Sequence, residues 1–256
     1  MTEYMEYFFQ TEQLTVGYNG QPVVRDIKVT IKKGQILTLI GPNGSGKSTI
    51  LKSITKQLDP IGGAIYIGGR STQNISNREM SRKTAVVLTE RPQPELMTCE
   101  DVVAVGRHPY TGTMGILSKN DKERICDALS AVNALDIKDR RFSEVSDGQL
   151  QRVMLARALC QEPEIIVLDE PTSFLDIRYA VEILDILQKM ARDRGVTVIM
   201  SLHELNFAKR ISDLIMCIKS GRVLTLDTPE VVFTEEIISN LYDLPQGYYG
   251  QLFGGL

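Results

Sequence analysis

Nine consecutive residues, Gly41-Pro42-Asn43-Gly44-Ser45-Gly46-Lys47-Ser48-Thr49, carry three glycines, a lysine and three hydroxyls directly after the apolar run Gln35-Ile-Leu-Thr-Leu-Ile40. Glycines let a backbone curl into a nest of N–H donors, Lys47 supplies a positive charge, and the Ser48 hydroxyl can ligate Mg²⁺. Strand, glycine-rich loop and helix in that order hold nucleotide phosphates, so the segment reads as an ATP or GTP site. A helix is expected from Ser48 to Gln57, with its positive end at the anion. A plain strand-to-helix turn would need neither Lys47 nor Ser48.

A second constellation follows another apolar run. Ile165-Ile-Val-Leu168 leads into Asp169-Glu170-Pro171, so a buried strand delivers two carboxylates to its carboxyl end. Buried charge needs a partner, and a Mg²⁺–phosphate complex is one: Asp169 would hold the metal and Glu170 would orient and deprotonate the attacking water. Capping of the next turn is the simpler alternative for both acids. His203, after the run Val196–Ser201, is either a satisfied polar residue or a hydrogen-bond donor to the γ-phosphate. Tyr18 can stack on adenine or be an ordinary turn aromatic. Ser146-Asp147-Gly148-Gln149 has the form of a capping box, which accounts for Ser146 and Gln149; Gly148 beside a helix N-terminus would also suit an approaching anion.

The elements that position these groups follow from periodicity. Leu14 to Ile31 reads as two strands around Asn19-Gly20, the strongest short hairpin signal. Further β-rich runs occur at Gln35–Ile40, Gly63–Ile67 and Thr84–Leu88. From about residue 98 the pattern becomes helical: Ser118-x-x-Asp121 opens a helix, and Ile125, Leu129 and Val132 recur at helical spacing. Strands return at Ile165–Leu168, Val196–Ser201, Leu214–Ile218 and Arg222–Leu226, with an amphipathic helix from Ile177 to Arg194. Alternating strands and helices imply a mostly parallel sheet covered on both faces, with ligands at the carboxyl ends of its strands.

Composition narrows the class. With 256 residues, 43 % hydrophobic and 24 % charged, the chain can bury a sizeable core, and a net charge of −3 argues against nucleic acid as an obligatory partner. No apolar run approaches the roughly 20 residues that cross a bilayer, and the first residues lack the basic flank of a signal peptide, so a cytosolic chain is expected. Cys99, Cys126, Cys160 and Cys217 form no C-x-x-C pair and read as reduced, mostly buried thiols. His203-Glu204 begins like H-E-x-x-H, but position 207 is Phe, which excludes a zinc protease.

In order and spacing these residues resemble the ATP-binding subunit of ABC transporters over nearly the whole chain. The resemblance implies an α/β P-loop NTPase fold, a mostly parallel sheet with an N-terminal antiparallel part. It also implies one nucleotide-binding domain over residues 1–256, with a helical lobe inserted at about 91–161. It makes Tyr18 the adenine-stacking aromatic, Gly41 to Thr49 the Walker A loop, Ser146 to Gln149 the signature, Ile165 to Glu170 the Walker B strand, Ser173-Phe-Leu-Asp176 the D-loop and His203 the switch histidine. In the family, two copies pair head to tail, each ATP lying between one copy's Walker A loop and the other's signature, and permease subunits in the membrane convert closure into transport. Gly106-Arg107-His108-Pro109-Tyr110 and Pro229-Glu-Val-Val-Phe-Thr234 are similar to stretches in importers of ferric siderophores, haem and cobalamin. The helical lobe, including the stretch Gly106 to Thr111, is expected to dock a permease loop, with an extracytoplasmic binding protein choosing the cargo.

The chain departs from the family pattern twice. Asp147 stands in the signature where glycine is usual, adding a carboxylate that either repels the partner's γ-phosphate or points away and favours the helix N-terminus. Glu90 falls where a glutamine normally contacts Mg²⁺, in Leu88-Thr-Glu-Arg-Pro92; a carboxylate can ligate the metal, and Gln93 takes the place if the loop shifts. Two other classes compete: a soluble ABC ATPase acting on a macromolecular assembly, and a P-loop kinase, which would need neither the signature nor His203.

Overall fold

The structure is a computed structural model that describes residues 7–88, 94–112, 115–245 and 247–253. The chain divides into two compact units, one from the residues up to Ile75 together with those from Thr197 onward, the other Ser76–Val196.

The first unit opens with β1 (Phe9–Tyr18), β2 (Gln21–Ile31), β3 (Ile36–Ile40), α1 (Lys47–Ile54), β4 (Gly62–Ile67) and β5 (Arg70–Ser71). The second holds α2 (Asn77–Lys83), β6 (Thr84–Val87), α3 (Cys99–Ala104), α4 (Lys119–Ala131), α5 (Asp147–Cys160), β7 (Ile165–Asp169) and α6 (Ile177–Arg194). The chain then returns to the first through β8 (Thr197–Ser201), α7 (Leu205–Ile211), β9 (Leu214–Lys219), β10 (Arg222–Asp227), α8 (Pro229–Val232), α9 (Glu235–Tyr242) and α10 (Tyr248–Phe253).

In the first unit the strands run β5-β4-β1-β2-β10-β9-β3-β8. The Asn-Gly signal is realised: Tyr18 pairs with Gln21, and Asn19 (φ 51) and Gly20 (φ 73) take the two left-handed positions of a type I′ turn. β1, β2, β4 and β5 form the antiparallel part. β3 lies between β8 and β9, parallel to both, and all five of its residues are buried. That explains its continuous apolar reading, since a strand covered on two faces has no polar alternation. Its one polar residue, Thr38, accepts a hydrogen bond from the Ser212 hydroxyl (2.6 Å), so the core keeps no orphan there.

The helix after the phosphate loop is shorter than the sequence pattern suggests, ending at Ile54 rather than Gln57. Lys56 adopts φ 58, and the Gln57 and Lys56 N–H groups return to the carbonyls of Lys52 (2.9 Å) and Ser53 (3.2 Å), the Schellman closure. The Lys56 ammonium donates to Thr72 O (3.1 Å) and Ile75 O (2.9 Å).

In the second unit β6 and β7 pair in parallel. α4 starts as its sequence implies, with the Ser118–Asp121 capping box formed in both directions. α6 buries Ala180, Ile183, Leu184, Leu187, Met190 and Ala191 on one face and stops at Gly195 (φ 64). Among the described residues no helix is long and apolar enough to cross a membrane. Cys99, Cys160 and Cys217 are buried and free, and Cys126 is exposed. Burial pushes the Cys160 and Cys217 thiols up to about 12, which removes them as nucleophiles.

Candidate nucleotide site

The phosphate loop belongs to the first unit and is shaped by two close approaches. A side chain on Gly41 (φ 149) would lie 2.1 Å from the Ile218 carbonyl oxygen, and one on Gly46 (φ 105) would lie 2.3 Å from Val24 Cγ2, so only glycine lets the chain turn between β9 and β2. α1 then begins at Lys47 with no side-chain cap and no acidic residue in its first turn, leaving its positive end available to an anion. Lys47 is 5 % exposed, and its Nζ donates to the carbonyls of Gly41 (2.8 Å) and Pro42 (3.2 Å). Ser45 Oγ is buried without a hydrogen-bond partner. Pro42 and Ser48 are half-buried, Asn43 and Gly44 exposed, and Thr49 buried. A buried ammonium, an orphaned hydroxyl and an uncapped helix start together fit a polyanionic group.

Two further expected residues lie in this unit. Tyr18 ends β1 at the hairpin with 44 % of its surface exposed. His203 is exposed in the segment between β8 and α7.

The carboxylates belong to the second unit. Ile165 to Leu168 are buried, and Asp169 and Glu170 emerge half-buried. Glu170 has φ 50, a conformation that costs a non-glycine residue roughly 1–2 kcal/mol, and its Oε2 accepts a hydrogen bond from Ser173 Oγ (3.0 Å). Strain of this kind concentrates where a side chain must be aimed. Capping does not explain the two acids, because Asp176 caps α6 by accepting from Tyr179 N (3.1 Å). Beyond Glu170 the turn exposes Phe174 (77 %) and Ile177 (76 %).

At the start of α5, Ser146 and Gln149 form the capping box: the Ser146 N–H donates to Gln149 Oε1 (3.0 Å) and the Gln149 N–H to Ser146 Oγ (3.4 Å). Asp147 is exposed in the first turn of this helix, where a negative charge is favourable. Gly148 has a packing reason that sequence reading missed. A Cβ there would come within 2.7 to 3.0 Å of the Tyr179 ring, which is flanked by the guanidinium groups of Arg152 and Arg178.

The expectation that Arg107 lies on a docking surface is corrected by its burial. The residue is 3 % exposed, with Nε bonded to Asp121 Oδ1 (2.8 Å) and Nη1 to Cys160 O (2.7 Å) and Glu162 Oε2 (2.8 Å). Its guanidinium lies 4.1 Å from the centre of the Tyr110 ring, whose hydroxyl donates to Gln161 O (2.9 Å). Gly106 backs onto α5, where a side chain would meet Arg157 O at 2.4 Å. The stretch therefore clamps the C-terminal end of α5, the helix that Ser146 caps. Glu90 and Gln93 lie outside the described residues.

With this geometry in view, the family comparison is decisive: the ABC transporter family pattern matches residues 24–173. This chain belongs to the ABC transporter ATPase family. An uncharacterized ABC transporter ATP-binding protein of Methanocaldococcus jannaschii is 43 % identical, covering 96 % of this chain and 84 % of its own length. The iron(3+)-hydroxamate import ATP-binding protein FhuC of Bacillus subtilis is 36 % identical, covering 91 % of this chain and 87 % of that protein. A solved dimeric, post-hydrolysis ATP-binding cassette bound to ADP and phosphate superimposes with a TM-score of 0.75 at 27 % identity, covering 86 % of this chain and 98 % of that one. The fold is thus that of the ABC ATPases, and the chain is an ATP-binding ATPase of the P-loop class.

Proposed function

We propose that this ABC ATPase is the motor subunit of a membrane importer whose cargo is of the iron–siderophore, haem or cobalamin type. The observation that carries this reading is the 36 % identity to an iron(3+)-hydroxamate import protein across nine-tenths of the chain. The soluble-ATPase and kinase readings have no comparable support.

In this reading Gly41 to Thr49 wrap the ATP phosphates, Lys47 moves from its loop carbonyls to the phosphate oxygens, and Tyr18 stacks on adenine. Ser48 and Asp169 are the residues that would hold Mg²⁺, with Glu90 as a further oxygen donor. Hydroxyl and carboxylate oxygens suit a hard cation, and no ready-made metal cluster occurs among the described residues, consistent with phosphates completing the donor set. Bound there, the metal supplies positive charge against the phosphates. Glu170 orients a water and accepts its proton as the oxygen attacks the γ-phosphorus and ADP leaves. His203 donates a hydrogen bond to the γ-phosphate.

A second copy completes the site, head to tail, by presenting Ser146, Gly148 and Gln149 to the ATP; exposed Phe174 and Ile177, beside the Glu170 turn, are apolar surface such a copy would cover. Permease subunits hold the dimer on the cytoplasmic face of the membrane, and an extracytoplasmic binding protein delivers cargo. No nucleic acid takes part.

Two experiments test this. Purification in mild detergent should recover the chain with a polytopic membrane protein whose loss abolishes uptake of a ferric chelate or corrinoid; recovery with a soluble assembly alone would replace the importer reading. Separately, Lys47→Ala should lose nucleotide binding, whereas Ser146→Arg should bind nucleotide but not hydrolyse it. Mixed, the two leave at most one intact composite site per heterodimer, so full parental turnover in the mixture contradicts the head-to-tail arrangement.

A further inference from the structure

Gly148 lies in the first turn of α5, outside the left-handed region, so its backbone has no need of glycine, which costs a helix roughly 0.5–1 kcal/mol relative to alanine. What excludes a side chain is the Tyr179 ring: a Cβ on Gly148 would point at it, 2.7 Å from Cγ, 2.9 Å from Cδ1 and 3.0 Å from Cδ2. The ring is itself held. The Tyr179 N–H donates to Asp176 Oδ1 (3.1 Å) in the first turn of α6, and the guanidinium groups of Arg152 on α5 and of Arg178 lie 5.8 and 5.9 Å from the ring centre. Arg152 is anchored through Nη1 to Asn133 O (3.1 Å), and Arg178 through Nε to Glu182 Oε1 (3.2 Å). Asp176 ends the turn that starts at Glu170, whose carbonyl accepts the Ser173 N–H (3.1 Å). One aromatic ring thus joins the turn that carries Glu170 to the glycine of the Ser146–Gln149 segment.

We infer that Tyr179 is a positioning residue for hydrolysis: its ring sets the place of Gly148 and, through it, the way the Ser146–Gln149 segment meets the partner copy's ATP. The inference rests on the reading that this segment serves the partner's nucleotide. Its physical basis is close packing: a flat ring against a bare Cα lets α5 and α6 approach more closely than a Cβ would allow, and a displacement of about 1 Å in a positioned group can cost roughly 100-fold in rate. The ring supports Gly148, whereas Lys47 and its loop belong to the first unit, so the expected defect is in turnover, with nucleotide affinity kept.

The test measures ATPase turnover and the Kd for a fluorescent ADP on the full chain. Tyr179→Ala should lower kcat about 10- to 100-fold at parental Kd, and Tyr179→Phe, which keeps the ring, should turn over at the parental rate. Gly148→Ala should also lower kcat, because its methyl strikes the ring; once the ring is gone the methyl should cost nothing further, so the double variant should match Tyr179→Ala, whereas independent effects would multiply. Multiplied effects overturn the inference. Ser146→Arg is the control and should be inactive. Parental turnover in Tyr179→Ala beside an inactive Ser146→Arg overturns the inference and leaves the role of the segment intact; parental turnover in Ser146→Arg removes that role itself. Should Tyr179→Ala melt below the assay temperature, Gly148→Ala decides: lowered kcat at parental Kd supports the inference, and any other result overturns it.

Discussion

Glu170→Gln should bind ATP with parental affinity and hydrolyse it at least about 100-fold more slowly, the usual contribution of a general base. The substitution keeps the size of the side chain and an oxygen for the Ser173 hydroxyl that now bonds Glu170 at 3.0 Å, so the turn at φ 50 has no reason to relax. What it removes is the capacity to take a proton from the attacking water. ATP therefore stays bound, and a dimer closed by ATP should accumulate, visible by size-exclusion chromatography with Mg²⁺ and ATP. Phosphate release at the parental rate would show that Glu170 is not the base.

Arg107→Met should destabilise the second unit by about 3–5 kcal/mol, because it leaves Asp121 and Glu162 without the cation they share. A chain of this size would melt on the order of 10 °C lower by calorimetry. Arg107→Glu should do worse and prevent the unit from folding, so lost transport in that variant would report collapse, not a broken contact with a permease. Replacing Asp121 by Asn alongside Arg107→Met should restore part of the loss; an unshifted melting temperature in the single variant would refute the clamp. The acid limb has a defined sign. Hydrogen bonds from the Ser118 hydroxyl and main chain, then from Arg107, lower Asp121 from its ordinary 3.8 to about 2. Its stabilisation is thus complete above 3.8 and fades as pH falls towards 2.

Local chemistry was legible in the sequence, and long-range packing was not. The Asn19-Gly20 hairpin, the Ser118–Asp121 box, the amphipathic α6 and the runs ending at Ile40 and Asp169 each depend on neighbours within one turn or one strand, so a linear pattern carries them. Arg107 was misplaced because its partners Asp121 and Glu162 stand 14 and 55 residues away, and nothing in Gly-Arg-x-Pro-Tyr says which face is covered. The packing constraint on Gly148 was invisible because the Tyr179 ring that a side chain there would strike comes from another helix. α7, α8 and α10, of four to seven residues, are too short for a 3.6-residue period to repeat.

The position of β3 carries a consequence for how the chain is made. Both strands that flank it, β8 and β9, come from beyond residue 196, so β3 leaves the ribosome well before either neighbour exists. Ser76–Val196 is continuous and can close on local contacts while synthesis proceeds, whereas the phosphate loop must wait for the last quarter of the polypeptide. In the interval a strand that is apolar at four of its five positions is exposed with both edges open, the state in which chaperone capture and misassembly compete with folding. A nascent chain stalled before Thr197 should accordingly hold a protease-resistant middle and a nucleotide loop that is still soft.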